Sequence, residues 1–122
     1  NQIESIVQEY CESFDIKHSD LYKGIGTGGR ARIYKGINLS MIRTSLSYYL
    51  YEKYPLTALQ VSQLVGYTDH SMVIHNRRRA GECIDVNDEL FMNHYNILLK
   101  ICMKYDVNQL FSRRERITLI HK

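Results

Sequence analysis

Three consecutive side chains, Asp69, His70 and Ser71, put a carboxylate, an imidazole and a hydroxyl side by side. Together they offer an acceptor, a donor or acceptor, and a group that serves either way. A metal site is a poorer match, because His70 and His75 are five residues apart and miss the i, i+4 spacing of a helical metal pair. Cys11, Cys83 and Cys102 are odd in number and widely separated, without the close pairing of a zinc site or disulfide framework. They read as reduced thiols of a cytoplasmic protein.

Gly24 to Gly29 spells G-x-G-x-x-G. A dinucleotide site would need a strand before it, a helix opening at the third glycine and an acid about twenty residues later. Those contexts are missing, and no Lys-Ser/Thr follows to make a phosphate-binding loop. The segment therefore reads as a flexible connection. No enzyme activity, cofactor, metal or small-molecule substrate is expected.

Charge is informative through its placement. The net charge of +3 is small, but between Lys23 and Arg43 there are five Lys or Arg and no acid: Lys23, Arg30, Arg32, Lys35 and Arg43. Arg77, Arg78 and Arg79 follow one another, and the acids gather at Glu4 to Asp20 and Asp85 to Glu89. Segregated basic groups of this kind suit phosphate contacts, although three arginines can also be a solvated face. The tyrosines could suggest stacking on single-stranded bases, but their helical spacing favours packing.

The elements that must position these groups are helical. Ile3, Ile6, Val7, Tyr10 and Phe14 predict a helix over about Gln2 to Phe14, and Ser19-Asp20 caps a short turn carrying Leu21 and Tyr22. A long helix follows from Asn38 or Ser40 to Lys53, with Leu39, Ile42, Leu46, Tyr49 and Leu50 on one face and Arg43, Ser47 and Tyr51 off it. Pro55 stops it. Thr57 and Gln60 have the spacing of a capping box, predicting a helix to about Val65 that Gly66 ends. A new helix starts at Thr68 or Asp69, holds Met72 and Val73 inward and ends near Ala80-Gly81. The last long helix, capped by Asp85 or Asn87, runs to about Lys104 with Leu90, Phe91, Leu98, Ile101 and Cys102 on its apolar side. No β-alternation is evident. Asp106 to Phe111 could add a helical turn, and Ser112 to Lys122 reads as a basic tail. The expectation is one all-α domain over residues 1–111, with a tail over 112–122. No stretch approaches the roughly 18 apolar residues of a membrane span, and no signal peptide is visible. The chain begins at Asn1 rather than Met, as a piece of something longer would.

Thr57 to Arg79 is the informative unit: a short helix, a glycine turn and a second helix. Ser62 supplies the small inner residue and Val65 the apolar end that close packing of a helix-turn-helix requires, and Tyr67 can fold back as a clasp. The second helix is then free to enter a major groove with its N-terminal residues. Helix pairs with a glycine turn also occur as plain core packing.

Gly66-Tyr67-Thr68-Asp69-His70-Ser71-Met72-Val73-Ile74-His75 resembles the signature of the C-terminal DNA-binding domain of the bacterial replication initiator DnaA, Gly-Gly-Arg-Asp-His-Thr-Thr-Val-hydrophobic-His. Thr57 to Ser62 resembles that family's Ser-Leu-x-Glu-Ile-Gly, and Arg43 falls on the arginine that opens its preceding long helix. The resemblance implies a compact, Trp-repressor-like helical fold that binds double-stranded DNA in replication or transcription control, in a bacterial nucleoid or phage-infected cell. It implies base contacts by Asp69, His70 and Ser71 and a minor-groove arginine among Arg30, Arg32 and Arg43. Thr68 stands for the family's arginine and Met72 for its second threonine, so base preference should differ. The family's nucleotide-hydrolysing module is not in this chain. The expected DNA-contacting set is Arg30, Arg32, Lys35, Arg43, Thr68, Asp69, His70, Ser71, Met72, Arg77, Arg78 and Arg79. His75 reads as a packing residue or a phosphate contact. The rival reading is a protein-interaction adaptor that kept the fold and binds a partner through its last helix and tail.

Overall fold

A computed structural model describes residues 1–25, 29–30 and 32–105. The expectations for Asp106 to Phe111 and for the basic tail lie outside these residues. Five α-helices account for most of the described chain: α1 (Gln2–Glu12), α2 (Leu39–Lys53), α3 (Ala58–Val65), α4 (His70–Asp85) and α5 (Glu89–Met103). A 3-10 turn, His18–Tyr22, follows α1. Between it and α2 lie two short antiparallel pairs, β1 (Gly24–Ile25) with β2 (Gly29–Arg30), and β3 (Ile33–Tyr34) with β4 (Ile37–Asn38). These strands correct the expectation of a chain without β-structure. Two-residue strands are too short to show alternation, so their signal lies in the turn. Lys35 and Gly36 take φ of 51° and 79°. Two successive residues at positive φ match the hairpin turn whose twist suits antiparallel strands.

The helix boundaries follow local capping. Asn38 accepts from the Met41 amide to open α2, and Thr57 and Gln60 form the reciprocal capping box of α3. Asp69 opens α4 by accepting from the Ser71 amide. Asp88 rather than Asp85 or Asn87 opens α5. Asn87 instead ends α4. Its φ of 53° lets its N–H reach Ile84 O at 3.1 Å while Asp88 N–H reaches Cys83 O at 2.8 Å, the paired bonds of a Schellman stop. The helix thus passes through Gly81 and extends beyond the expected end at Ala80-Gly81. A mid-helix glycine costs only about 1 kcal/mol relative to alanine, and the two half-buried residues Cys83 and Ile84 pack against the core beyond it.

Helix α2 is the axis of the molecule, packed against α3, α4 and α5, while α1 closes on α5. It is buried almost all round: Leu39, Ile42, Leu46, Tyr49 and Leu50, and also Arg43, Thr44, Ser45 and Ser47. The one-sided amphipathic pattern expected for it is therefore corrected at Arg43 and Ser47. Such a helix belongs to a core rather than a surface. On α5, Phe91, Leu98, Ile101 and Cys102 are buried as expected, but Leu90 is exposed. Cys11 and Cys102 are buried free thiols, pushed by desolvation up to about 12 and about 11 respectively, so neither is a nucleophile at neutral pH.

Candidate nucleic-acid interface

The turn between α3 and α4 is held from below by a chain of polar contacts. Gly66 and Tyr67 both donate their amides to Ser62 O, at 3.1 and 2.9 Å, which stops α3. Gly66 has φ of 93°, and a Cβ there would lie 2.2 Å from Leu21 O. Glycine is thus needed twice, for the left-handed backbone and for the close approach of the 3-10 turn. Buried Arg43 donates to the same Leu21 carbonyl from Nε at 3.0 Å and Nη2 at 2.6 Å, and its guanidinium lies 5.9 Å from the Tyr67 ring centre. Asn76 of α4 donates to the Tyr67 hydroxyl at 2.6 Å. His18 contacts Leu64 O at 2.6 Å, and the Tyr22 hydroxyl donates to Gln63 O. The 3-10 turn therefore takes up carbonyls at the end of α3 that the helix itself cannot satisfy.

This network corrects one expected site residue. Arg43, expected among the DNA contacts, is 2% exposed and ties α2 to the 3-10 turn. Its planar fork suits one carbonyl approached by two nitrogens, and its stem is core.

The buried face of α4 is Val73, Asn76 and Ala80. With 3.6 residues per turn, the face pointing away is Ser71, Ile74, His75 and Arg78, all exposed. Asp69 and His70 sit at its start, with exposed side chains and His70 Nδ1 3.4 Å from Asp69 Oδ1. The Asp69 carboxyl is held below its ordinary value, first by the Ser71 amide and then by the Ser71 hydroxyl. It is thus ionised and acceptor-only at neutral pH. Capping uses part of a carboxylate's roughly four lone-pair sites, so it can accept elsewhere as well.

The remaining expected residues separate into groups. Thr68 of the turn and Met72, His75 and Arg79 of α4 line one side of an open groove of about 680 Å³ that Arg32 and Ile33 also line, with Arg43 and Thr44 of α2 at its base. Met72 is 40% exposed, which corrects the inward placement expected for it. The exposed His75 is likewise no packing residue. Lys35 lies at the β3–β4 turn with its ammonium 5.3 Å from the Tyr34 ring centre. Arg30 lies in β2. Arg77 faces the opposite flank and pairs with Glu52 of α2, Nε at 2.8 Å and Nη2 at 2.6 Å, with its guanidinium over Tyr51. Arg78 alone of the three consecutive arginines lies on the outward face. Ile74 was missed by sequence reasoning, although its place three residues after Ser71 and four before Arg78 was the available signal.

No family model, no curated protein and no solved structure matches the chain. No helix among the described residues is long and apolar enough to cross a membrane.

Proposed function

We propose that this chain binds double-stranded DNA sequence-specifically, with the first two turns of α4 in the major groove. The reading rests on one observation. A helix locked on one side by Val73, Asn76 and Ala80 leaves Ser71, Ile74, His75 and Arg78 exposed on the other, directly after a tight turn. An α-helix about 10–12 Å across fits a major groove about 12 Å wide. Asp69, His70 and Ser71 read base edges, Ile74 or Met72 can touch a thymine methyl, and Arg78 and Arg79 take phosphates. The β3–β4 hairpin, with Arg32 before it and Lys35 at its turn, lies alongside and serves the adjacent minor groove or the phosphates. On this reading the likeness to the initiator's DNA-binding domain extends to mode of binding, in replication or transcription control, and not to nucleotide hydrolysis.

The test is selection of bound sites from a random duplex pool, then titration of Ser71→Ala and Arg78→Ala on the selected site and on random duplex. Ser71→Ala should reduce discrimination between the two by up to about tenfold, and Arg78→Ala should weaken both alike. Failure to enrich any site would overturn the reading.

A second reading, a protein-interaction adaptor, is favoured by the exposed apolar side chains of Val86, Leu90 and Ile97. Leu90 and Ile97 are two turns apart on α5 and share a face. Leu90→Glu with Ile97→Glu would leave DNA binding intact under the first reading and abolish partner capture under the second.

A further inference from the structure

The groove between α4 and the β3–β4 hairpin has a character of its own, separate from the outward face of α4. Its volume of about 680 Å³ falls in the range of about 300–1,000 Å³ typical of small-molecule sites. Arg32 stands on the hairpin wall and Arg79 on the helix wall, while the buried guanidinium of Arg43 contributes fixed charge at the base. No carboxylate is among the described residues that line it. Arginines converging from three elements without an acid create a positive potential that an anion relieves, and a guanidinium fork suits phosphate oxygens. The rest of the lining is different in kind. Met72 and Ile33 supply an exposed apolar surface, and the Tyr67 ring lies beside the Arg43 guanidinium. Met72 is 40% exposed, and its unbranched thioether side chain is adaptable to a flat ring.

We propose that this groove is a binding site for a small organic phosphate, a phosphate monoester carried on a flat apolar group. The phosphate lies between Arg32 and Arg79, and the apolar part lies on Met72 and Ile33. The proposal does not require that α4 reads DNA. A DNA phosphodiester shares the anionic chemistry but brings no apolar group into the groove, and that difference separates the two sources.

Titration of the chain with phenyl phosphate, inorganic phosphate and benzyl alcohol, followed by backbone and methyl NMR, tests it. Phenyl phosphate should shift Met72 and the amides of Thr68 and Arg79 saturably, with affinity at least about tenfold above either half-ligand, because each half keeps only one set of contacts. Arg32→Gln and Arg79→Gln, both at surface positions, should each lower that affinity several-fold while the circular dichroism spectrum is retained. Met72→Glu, which adds a carboxylate to the groove, should remove binding. No saturable shift with phenyl phosphate, equal affinity for inorganic phosphate, or unchanged affinity in both arginine variants would overturn the proposal. A parallel titration with duplex separates the two readings. Groove shifts with duplex but none with phenyl phosphate would remove this site and leave DNA binding standing. Phenyl phosphate binding without any duplex binding would do the reverse.

Discussion

The two walls of the groove each turn on a glycine at positive φ, and the two glycines do different jobs. Gly36, with φ of 79°, sits at the tip of the β3–β4 hairpin with nothing within 4 Å of where its Cβ would be. Gly66, with φ of 93°, sits between α3 and α4 with the Leu21 carbonyl pressed against it. At the hairpin the residue answers only to the backbone. At the helix turn it answers also to the 3-10 turn, to Arg43 and to Tyr67. The helix wall is therefore built into the core, whereas the hairpin wall is attached to it locally.

The largest expected effect follows from that difference. Gly66→Ala combines left-handed strain of about 1–2 kcal/mol with a clash that pushes Leu21 off the turn, so urea denaturation should show a loss of at least about 3 kcal/mol. Gly36→Ala meets only the strain, and the same measurement should show about 1 kcal/mol. Equal losses would mean that the close approach at Gly66 contributes nothing.

Arg43 sharpens the contrast with Arg32, an arginine read from the same basic stretch. Arg43→Met keeps the buried stem but leaves Leu21 O without its guanidinium, at a cost of about 1–3 kcal/mol. Its affinity for duplex, measured on the folded fraction, should not change. Arg32→Ala should do the opposite, with stability within about 0.5 kcal/mol of the parent and weaker binding. A fall in the salt dependence of binding for Arg43→Met would restore it to the interface.

The difference between the walls also decides how much could be read from the sequence. At α3 and α4 the local codes agree with the fold. Thr57 and Gln60 cap, Gly66 stops, Asp69 restarts, and the buried positions follow helical spacing, so the two helices and the turn between them were legible. The β3–β4 hairpin was not, because two-residue strands show no alternation and a single glycine, Gly36, marks its turn. Arg43 misled because a basic residue in a basic stretch looks like a surface cation, and only the position of Leu21, twenty-two residues earlier, shows otherwise. Asn87 misled through a shared code: its side chain suits an N-cap, but its tolerance of positive φ made it the stop of α4. Met72 and Arg77 differ from expectation for a third reason. Which flank of α4 meets α2 and which meets the groove is a tertiary fact that periodicity does not carry.

Asp69 offers a finer comparison, between a residue's local role and its proposed reading of bases. Asp69→Asn keeps the N-cap, since asparagine caps as well as aspartate, but replaces an acceptor-only group with one that also donates. The helix content should be unchanged and the preferred base at one position of the selected site should switch. The acid titration of the parent follows from the lowered carboxyl. Its folded value lies below the ordinary 3.8, so the ionised cap adds stability above about pH 3.8, and that contribution disappears as pH falls through the lower folded value. An NMR titration of the Asp69 carboxyl should therefore place its midpoint below the ordinary 3.8. A midpoint at or above that value would show that the carboxyl is not held down.

The smallest expected effect separates two neighbours in sequence. Arg77 reaches Glu52 with two nitrogens and covers Tyr51, while Arg78 lies on the outward face of α4 with no ion pair recorded among the described residues. Arg77 is 46% exposed, so solvent screens the pair and Arg77→Ala should cost no more than about 1 kcal/mol of stability. Because that guanidinium is already neutralised by a carboxylate, its removal releases few additional counterions on DNA binding, and the slope of log affinity against log salt should barely move. Arg78→Ala should leave stability within about 0.5 kcal/mol, yet flatten that slope by about one unit, the value for one phosphate contact. Salt titrations of both variants on one duplex, with urea denaturation alongside, measure all four quantities. If Arg77→Ala flattens the slope and Arg78→Ala does not, α4 meets the DNA with the flank that borders α2 rather than with the face bearing Ser71, Ile74 and His75, and the orientation of the helix in the groove has to be turned accordingly.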